Sequence, residues 1–327
     1  MEFPEAARNF ILEEASRVPL SKLEAAAQGL SERYRGERTG KRLVTAPMDV
    51  LAYSAVRMPA TYGAVSAALR LSGLENIRTM LDVGAGTGAA SLAAGQYFPL
   101  KALFCLERET AMRDMGKRLL AASGCFEGAT VQWQPFELGA SRLTLHGDLV
   151  VGAYLLNELP ERSLDEAVEA LYLAADKALL LVEPGTPEGF RTLLRVRRRL
   201  VKLGAHIAAP CPHQKECPLI REQDWCAFTC RVSRDKLHLR LKGGDVPYED
   251  EKFCFLTVTK EPAKPVSARI LRHPQIAPGR VQLTLCTEQG IESRTVSKKD
   301  GALFRLARKA ASGDAFEEKI TTSEEEI

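Results

Sequence analysis

The chain has 327 residues, of which 45% are hydrophobic and 27% charged, and its formal net charge is +3. That length has room for one substantial core and a smaller attached unit, because single cores stop growing at roughly 250 to 300 residues. The small net charge excludes a globally basic nucleic-acid binder, and without a run of about 20 apolar residues we expect no membrane-spanning helix.

The first residues, Met1-Glu2-Phe3-Pro4-Glu5, carry acids and lack the order of a signal peptide or the arginines of a transit peptide. We therefore expect a cytoplasmic, monomeric protein. The eight cysteines would stay reduced in that compartment. A cluster among them therefore indicates metal binding and not disulfides.

Residues 1–72 are predicted to form a helical N-terminal region, because apolar residues recur there at helical spacing. From residue 73 to 206 short apolar runs alternate with helical segments, which predicts a Rossmann-like core with a parallel sheet. The predicted strands span 79–83, 102–106, 130–134, 148–153 and 178–182, and the predicted helices span 89–97, 110–122, 164–174 and 188–203.

Residues 207–300 hold six of the eight cysteines and strand-like runs at 253–258, 268–271, 281–285 and 292–296. They predict a smaller, cysteine-containing, β-rich lobe. Residues 301–327 are predicted to form a C-terminal tail that is first basic and then acidic.

The first predicted strand leads into Gly84-Ala85-Gly86-Thr87-Gly88 and then into a helix. Glycines let the backbone approach a ligand, and free amides at a helix start bind a pyrophosphate or a carboxylate. The glycine spacing also meets the dinucleotide fingerprint, so it does not identify the ligand. Asp82 favours the ammonium and sulfonium groups of S-adenosylmethionine, because it would repel a pyrophosphate.

Two further segments extend this predicted site. Glu107, just after the second strand, is placed to accept hydrogen bonds from ribose hydroxyls. Residues 148–160 resemble the fourth-strand motif of class I methyltransferases, so Tyr154 and Asn157 are candidate catalytic residues; alternatively they cap the strand. The predicted cofactor-binding residues are Asp82, Gly84, Gly86, Thr87, Gly88, Glu107 and Asn157.

Three cysteines, Cys211, Cys217 and Cys226, lie within sixteen residues. Structural zinc usually takes cysteine pairs two to four residues apart, whereas five residues separate the first two here. Iron–sulfur clusters use four thiolates and accept irregular spacing. His213 is a possible zinc ligand, and buried reduced cysteines are the alternative to any metal.

Five segments of the chain resemble the methyltransferase-like family of the small ribosomal subunit known as Rsm twenty-two and methyltransferase-like seventeen, its bacterial branch in particular. They span nearly the whole chain and are Arg57-Met58-Pro59-Ala60-Thr61-Tyr62, residues 81–88, Val182-Glu183-Pro184-Gly185-Thr186-Pro187, Ala209-Pro210-Cys211-Pro212-His213 and Tyr248-Glu249-Asp250-Glu251-Lys252-Phe253. The resemblance implies an α/β fold: a class I methyltransferase Rossmann-like sheet with a helical N-terminal extension and a β-rich C-terminal lobe.

The resemblance also implies a four-iron, four-sulfur (4Fe-4S) cluster, with Cys211, Cys217 and Cys226 as three ligands. The family's last ligand sits in a strand before a turn, which matches Cys286. The competitors for that position are Cys230 and Cys254, and zinc stays the alternative metal.

The helix predicted after the fifth strand carries a basic stripe, which suits a phosphate backbone or is simply a solvated face. Its residues are Arg191, Arg195, Arg198 and Lys202. A second basic region comprises Arg294, Lys298, Lys299, Arg305, Arg308 and Lys309. The resemblance makes small-subunit ribosomal RNA the expected partner of both.

The expected function is that of an S-adenosylmethionine-dependent methyltransferase-like protein that acts on or binds small-subunit ribosomal RNA during ribosome assembly. The alternatives are an inactive cofactor-binding assembly factor and a small-molecule methyltransferase. The sequence does not decide whether the protein transfers methyl groups. Asn157-Glu158-Leu159-Pro160 is not the Asn/Asp-Pro-Pro-aromatic signature of enzymes that methylate exocyclic amines.

Overall fold

The computed structural model describes residues 2–35, 44, 46–222, 224–264 and 266–317. Within the described residues four helices come first, in agreement with the predicted helical N-terminal extension: α1 (Glu5–Ser16), α2 (Leu20–Arg35), α3 (Pro47–Val56) and α4 (Met58–Ser72). The acidic end of the predicted tail, residues 318–327, lies outside the described residues.

The remaining elements alternate strand and helix before turning mainly to strands. They are β1 (Thr79–Val83), α5 (Ala89–Tyr97), β2 (Ala102–Leu106), α6 (Thr110–Ser123), β3 (Thr130–Gln134), β4 (Gly147–Ala153), α7 (Leu164–Ala174), β5 (Ala175–Pro184), α8 (Pro187–Lys202), β6 (His206–Ala209), α9 (Leu219–Glu222), β7 (Phe228–Ser233), α10 (Lys236–Lys242), β8 (Tyr248–Thr259), β9 (Ala268–Ile270), β10 (Gln275–Ala277), β11 (Arg280–Thr287), β12 (Ile291–Ser297), α11 (Ala302–Lys309) and β13 (Ala315–Phe316).

Within the described ranges, the main sheet runs in the order β3-β2-β1-β4-β5-β8-β6, and β7 also pairs with β8. Strands β1 to β5 are mutually parallel, whereas β8 is antiparallel to its neighbours β5 and β6. A parallel sheet that reverses order between β1 and β4 and has one antiparallel strand, β8, inserted between β5 and β6 is the class I methyltransferase arrangement. The predicted fold class is confirmed.

The sheet is covered on both faces. Met80 packs with α4 and α5 on one face, and its neighbour Leu81 packs with α7 on the other. Both side chains are fully buried. Consecutive apolar residues such as Met80 and Leu81 are expected when both faces of a parallel strand are covered.

A second sheet has the order β10-β11-β9-β13, with β12 paired to β11. Helix α11 packs Phe304 and Ala307 into the apolar core of this sheet, although the sequence predicts a tail there. Strand β8 joins the main sheet although it lies in the predicted 207–300 lobe, so the domain boundaries stay a prediction. None of the described helices is long and apolar enough to cross a bilayer.

Candidate functional site

A cavity of about 370 Å³ is lined by residues at the carboxyl ends of β1, β2 and β4. This is where the strand order reverses, which is the usual ligand position in open α/β sheets. Of the predicted site residues, the cavity wall includes Gly84, Gly86, Glu107 and Tyr154.

The glycine loop needs its glycines. Gly84 and Gly86 have φ angles of 71° and 56°, in the left-handed region that side chains disfavour. A Cβ on Gly84 would lie 2.8 Å from Leu155 Cδ1. The loop can adopt this conformation, with its backbone at the cavity wall, only if both positions are glycine.

Glu107 holds the loop from the second strand. Its Oε2 accepts a hydrogen bond from the Gly86 amide at 2.9 Å, and its Oε1 accepts one from the Glu109 amide at 2.8 Å. Burial raises the pKa of this carboxyl. Each carboxylate oxygen keeps a lone pair for a ligand hydroxyl.

Asp82, Thr87 and Gly88 do not line the cavity. Asp82 Oδ2 accepts hydrogen bonds from the Ser91 amide at 3.0 Å and the Ser91 hydroxyl at 2.6 Å. The Thr87 hydroxyl contacts Met58 Sδ, and Gly88 packs against Leu120. These three residues hold the loop through contacts on its buried side. Asp82 does not face the cavity, so it is not placed for the expected direct contact with a cationic ligand.

Burial raises the pKa of Asp82 to about 6. A folded pKa above the unfolded value means that ionisation opposes folding, so this penalty is absent below about pH 4 and grows as pH rises to about 6. At about 1.4 kcal/mol per pKa unit, the full penalty is roughly 3 kcal/mol.

We expect Asp82→Asn to lose less unfolding free energy than wild type between pH 4 and 7, measured by urea titration. An equal loss in both proteins would contradict this account.

The two candidate catalytic residues lie apart. Asn157 donates to Glu183 Oε2 at 2.6 Å and accepts from the Thr192 hydroxyl at 3.1 Å, and it does not line the cavity. Tyr154 does, at an unusual φ of 57°, and its hydroxyl donates to Glu251 Oε1 at 2.8 Å. The structure therefore brings only Tyr154 to the cavity.

Sequence reasoning missed most of the cavity wall. Tyr53 comes from α3, where no sequence signal marks it, whereas Phe136 and Leu138 follow the carboxyl end of β3, a position that could have indicated them. The charged members are strongly acidic. The described lining residues include one arginine, Arg108, and four glutamates, Glu107, Glu109, Glu137 and Glu158.

A second cavity brings together the four predicted cluster ligands, Cys211, Cys217, Cys226 and Cys286. Burial raises the pKa of the Cys286 thiol to about 12 and that of Cys226 well above its usual value, and neighbouring thiols add to both effects. In the described chain, no three His, Cys, Asp or Glu side chains stand in the arrangement that holds one metal ion.

The competitors for the fourth position differ in their surroundings. Cys254 also lines this cavity, but its thiol donates to the Pro184 carbonyl oxygen at 3.1 Å. Cys230 lies elsewhere, packed against Gly63 of α4. His213 Nε2 lies 3.9 Å from Cys286 Sγ.

The two basic regions differ in their ion pairs. On α8, Arg195 pairs with Asp165 and Glu161, and Arg198 pairs with Glu216. The second region is exposed along β12 and α11, and five of its cations form no ion pair with a described residue: Lys298, Lys299, Arg305, Arg308 and Lys309.

Several solved methyltransferase structures are similar in fold. One is an S-adenosylmethionine-dependent methyltransferase from Aquifex aeolicus, with a TM-score of 0.43, 15% identity and coverage of 66% of this chain and 99% of that one. Another is magnesium protoporphyrin IX methyltransferase from Synechocystis, with a TM-score of 0.40, 15% identity and coverage of 70% and 90%.

Two curated relatives are the mitochondrial Rsm22-cox11 tandem proteins 1 and 2 of Schizosaccharomyces pombe. Each is 27% identical over 345 residues, covering 88% of this chain and 45% of the relative. The chain thus spans less than half the length of these proteins.

The family model described as mitochondrial small ribosomal subunit Rsm22 matches residues 47–317. With mitochondrial relatives and a mitochondrial family description, the predicted cytoplasmic location is wrong. That prediction rested on the composition of the first few residues, which does not determine the compartment. The match covers most of the chain and confirms the resemblance seen in the sequence: the chain belongs to the Rsm22 family.

Proposed function

We propose that the chain binds S-adenosylmethionine and small-subunit ribosomal RNA as a methyltransferase-like protein of ribosome assembly. The observation that carries the cofactor is the acidic cavity at the switch point, where four carboxylates face one arginine among the described lining residues. Such a cavity attracts the ammonium and sulfonium of S-adenosylmethionine and repels the pyrophosphate of a dinucleotide.

In this proposal each part of the cavity has one task. Glu107 accepts from the ribose hydroxyls, and the glycine loop lets the backbone approach the methionyl part of the cofactor. Asp82 acts indirectly by fixing Ser91 at the start of α5. Bound S-adenosylmethionine supplies an electrophilic methyl group, so the protein chiefly has to position the acceptor.

The second candidate function, an assembly factor without turnover, is favoured by the placement of Asn157. Its amide is occupied by Glu183 and Thr192. The two functions are separated by incubating the protein with labelled cofactor and undermethylated small-subunit RNA. Label in the RNA supports the enzyme; cofactor and RNA binding without label supports the assembly factor.

For the second cavity we propose a 4Fe-4S cluster held by Cys211, Cys217, Cys226 and Cys286. Five thiols line one cavity, those of the four proposed ligands and that of Cys254, and an iron–sulfur cluster takes four thiolates at irregular sequence spacing. The Cys254 thiol is occupied by a carbonyl, so Cys286 is the better fourth ligand. The cluster would supply structural bracing or one-electron chemistry.

The RNA-binding surface is proposed to include both basic regions, with the larger contribution from the second, which runs from β12 through the following turn to α11. Exposed ion pairs such as Arg195 with Asp165 reduce the charge available on α8. By contrast, Lys298, Lys299, Arg305 and Arg308 are exposed and without ion pairs to described residues. These four are free to neutralise phosphates.

Replacing Lys298, Lys299, Arg305 and Arg308 by glutamine is expected to weaken RNA binding and to reduce the salt slope of the logarithmic affinity by roughly one for each phosphate that is no longer neutralised. The matched control replaces Arg191, Arg195, Arg198 and Lys202 of α8, which removes the same charge. Filter binding at several salt concentrations measures both. A larger loss of RNA affinity in the α8 variant would contradict the proposal, because α8 would then contribute more to RNA binding than the second basic region.

A further inference from the structure

Two arginines lie buried at the wall of the cysteine cavity. Arg197 of α8 is 6% exposed and Arg269 of β9 is 3% exposed. Both line the cavity together with the four cysteine ligands proposed above. Neither forms an ion pair with a carboxylate in the described part of the chain.

The hydrogen bonds of these side chains go to backbone carbonyl oxygens, and Asp314, which pairs with Arg70, acts on Arg269 only through its charge. Arg197 Nη2 donates to the carbonyl oxygens of His213 and Lys215 at 3.0 and 2.6 Å, while its buried Nε has no partner among the described residues. Arg269 donates to the carbonyl oxygens of Pro210 and Gly313 at 2.8 and 2.9 Å. Burial lowers the pKa of Arg269, which reflects the cost of holding this charge away from water.

A buried charge without an ion-pair partner is costly, so two such charges at one cavity point to an anionic group that offsets them. Neutral thiols do not do so. A cluster with four thiolate ligands carries net negative charge and would share its cavity with both guanidinium groups. No acidic side chain is among the described residues that line this cavity.

We infer that Arg197 and Arg269 are the counter-charges of the proposed cluster and raise its reduction potential. This inference rests on the cluster proposed above. Reduction adds one electron to an already anionic group, and a nearby positive charge stabilises the reduced state more than the oxidised state. The arginines do not ligate iron. They act through the electrostatic potential that their positive charges produce at the cluster.

The test is a redox titration of the anaerobically reconstituted protein with dithionite and mediators, followed by visible absorbance. Arg269→Gln and Arg197→Gln are each expected to disfavour reduction about tenfold, which is ~59 mV more negative for a one-electron couple. Arg269→Lys keeps the charge and should stay near the wild-type potential. Arg191→Gln, on the exposed face of α8, is the matched control and should not shift.

The outcomes separate the inference from the cluster proposal. Wild-type protein that takes up no iron and sulfide overturns both. Intact cluster spectra with unchanged potentials in the two glutamine variants overturn the inference alone, because the arginines then only brace the cysteine loop. If Arg269→Gln does not fold, by circular dichroism, Arg197→Gln decides the question.

Discussion

Cys226→Ser is expected to lose most of the iron and acid-labile sulfide of the anaerobically purified protein, together with its brown colour. The Cys226 thiol shares one cavity with those of Cys211, Cys217 and Cys286. Removing one of four thiolates leaves an iron without its protein ligand, and serine is a poor replacement for it. Metal analysis, sulfide content and the visible spectrum measure the loss.

Cys254→Ser is the matched control, because Cys254 lines the same cavity and its thiol already donates to a carbonyl oxygen. A serine hydroxyl can make the same hydrogen bond, so this variant should keep the cluster. The pair Cys254→Ser and Cys286→Ser also identifies the fourth ligand. If Cys254→Ser loses the cluster and Cys286→Ser keeps it, Cys286 has been assigned wrongly.

Glu107→Ala is expected to weaken S-adenosylmethionine binding roughly 10- to 100-fold, since a hydrogen bond to a charged group contributes about 1.5–3 kcal/mol. The variant removes the proposed hydrogen bonds to the ribose. It also releases the Gly86 amide, which Glu107 holds at 2.9 Å, so the glycine loop is no longer fixed. Isothermal titration calorimetry gives the affinity.

Glu127→Ala serves as the control for Glu107→Ala, because Glu127 is exposed and does not line the cavity. It should bind the cofactor like wild type. Equal affinity in Glu107→Ala and wild type, with both folded, would remove Glu107 from the proposed site.

The core of the fold was predictable because its strands are marked by local sequence patterns. The predicted strands at 79–83, 102–106 and 130–134 agree with β1, β2 and β3. Strands β6 and β7 were missed, since they are short and lie among prolines and cysteines. Strand β8 was predicted too short, because its first half contains Glu249 and Glu251, whose partners Lys242 and Tyr154 lie outside the strand.

The site residues that could be predicted are those whose place at a strand end brings them to the cavity. Gly84, Gly86 and Glu107 lie at strand ends, and the structure brings them to one cavity. The side chain of Asp82 points instead to Ser91, because the helix start competes for its carboxylate. Asn157 likewise turns to Glu183. Such competition between hydrogen-bond partners is set by tertiary packing and cannot be read from spacing.

The most direct test of the central claim is a calorimetric titration of the wild-type protein with S-adenosylmethionine and, separately, with NAD. The acidic cavity and its glycine loop predict one binding site for S-adenosylmethionine and no measurable binding of NAD. Binding of NAD, or no binding of S-adenosylmethionine by folded protein, would contradict the proposed cofactor and the function built on it.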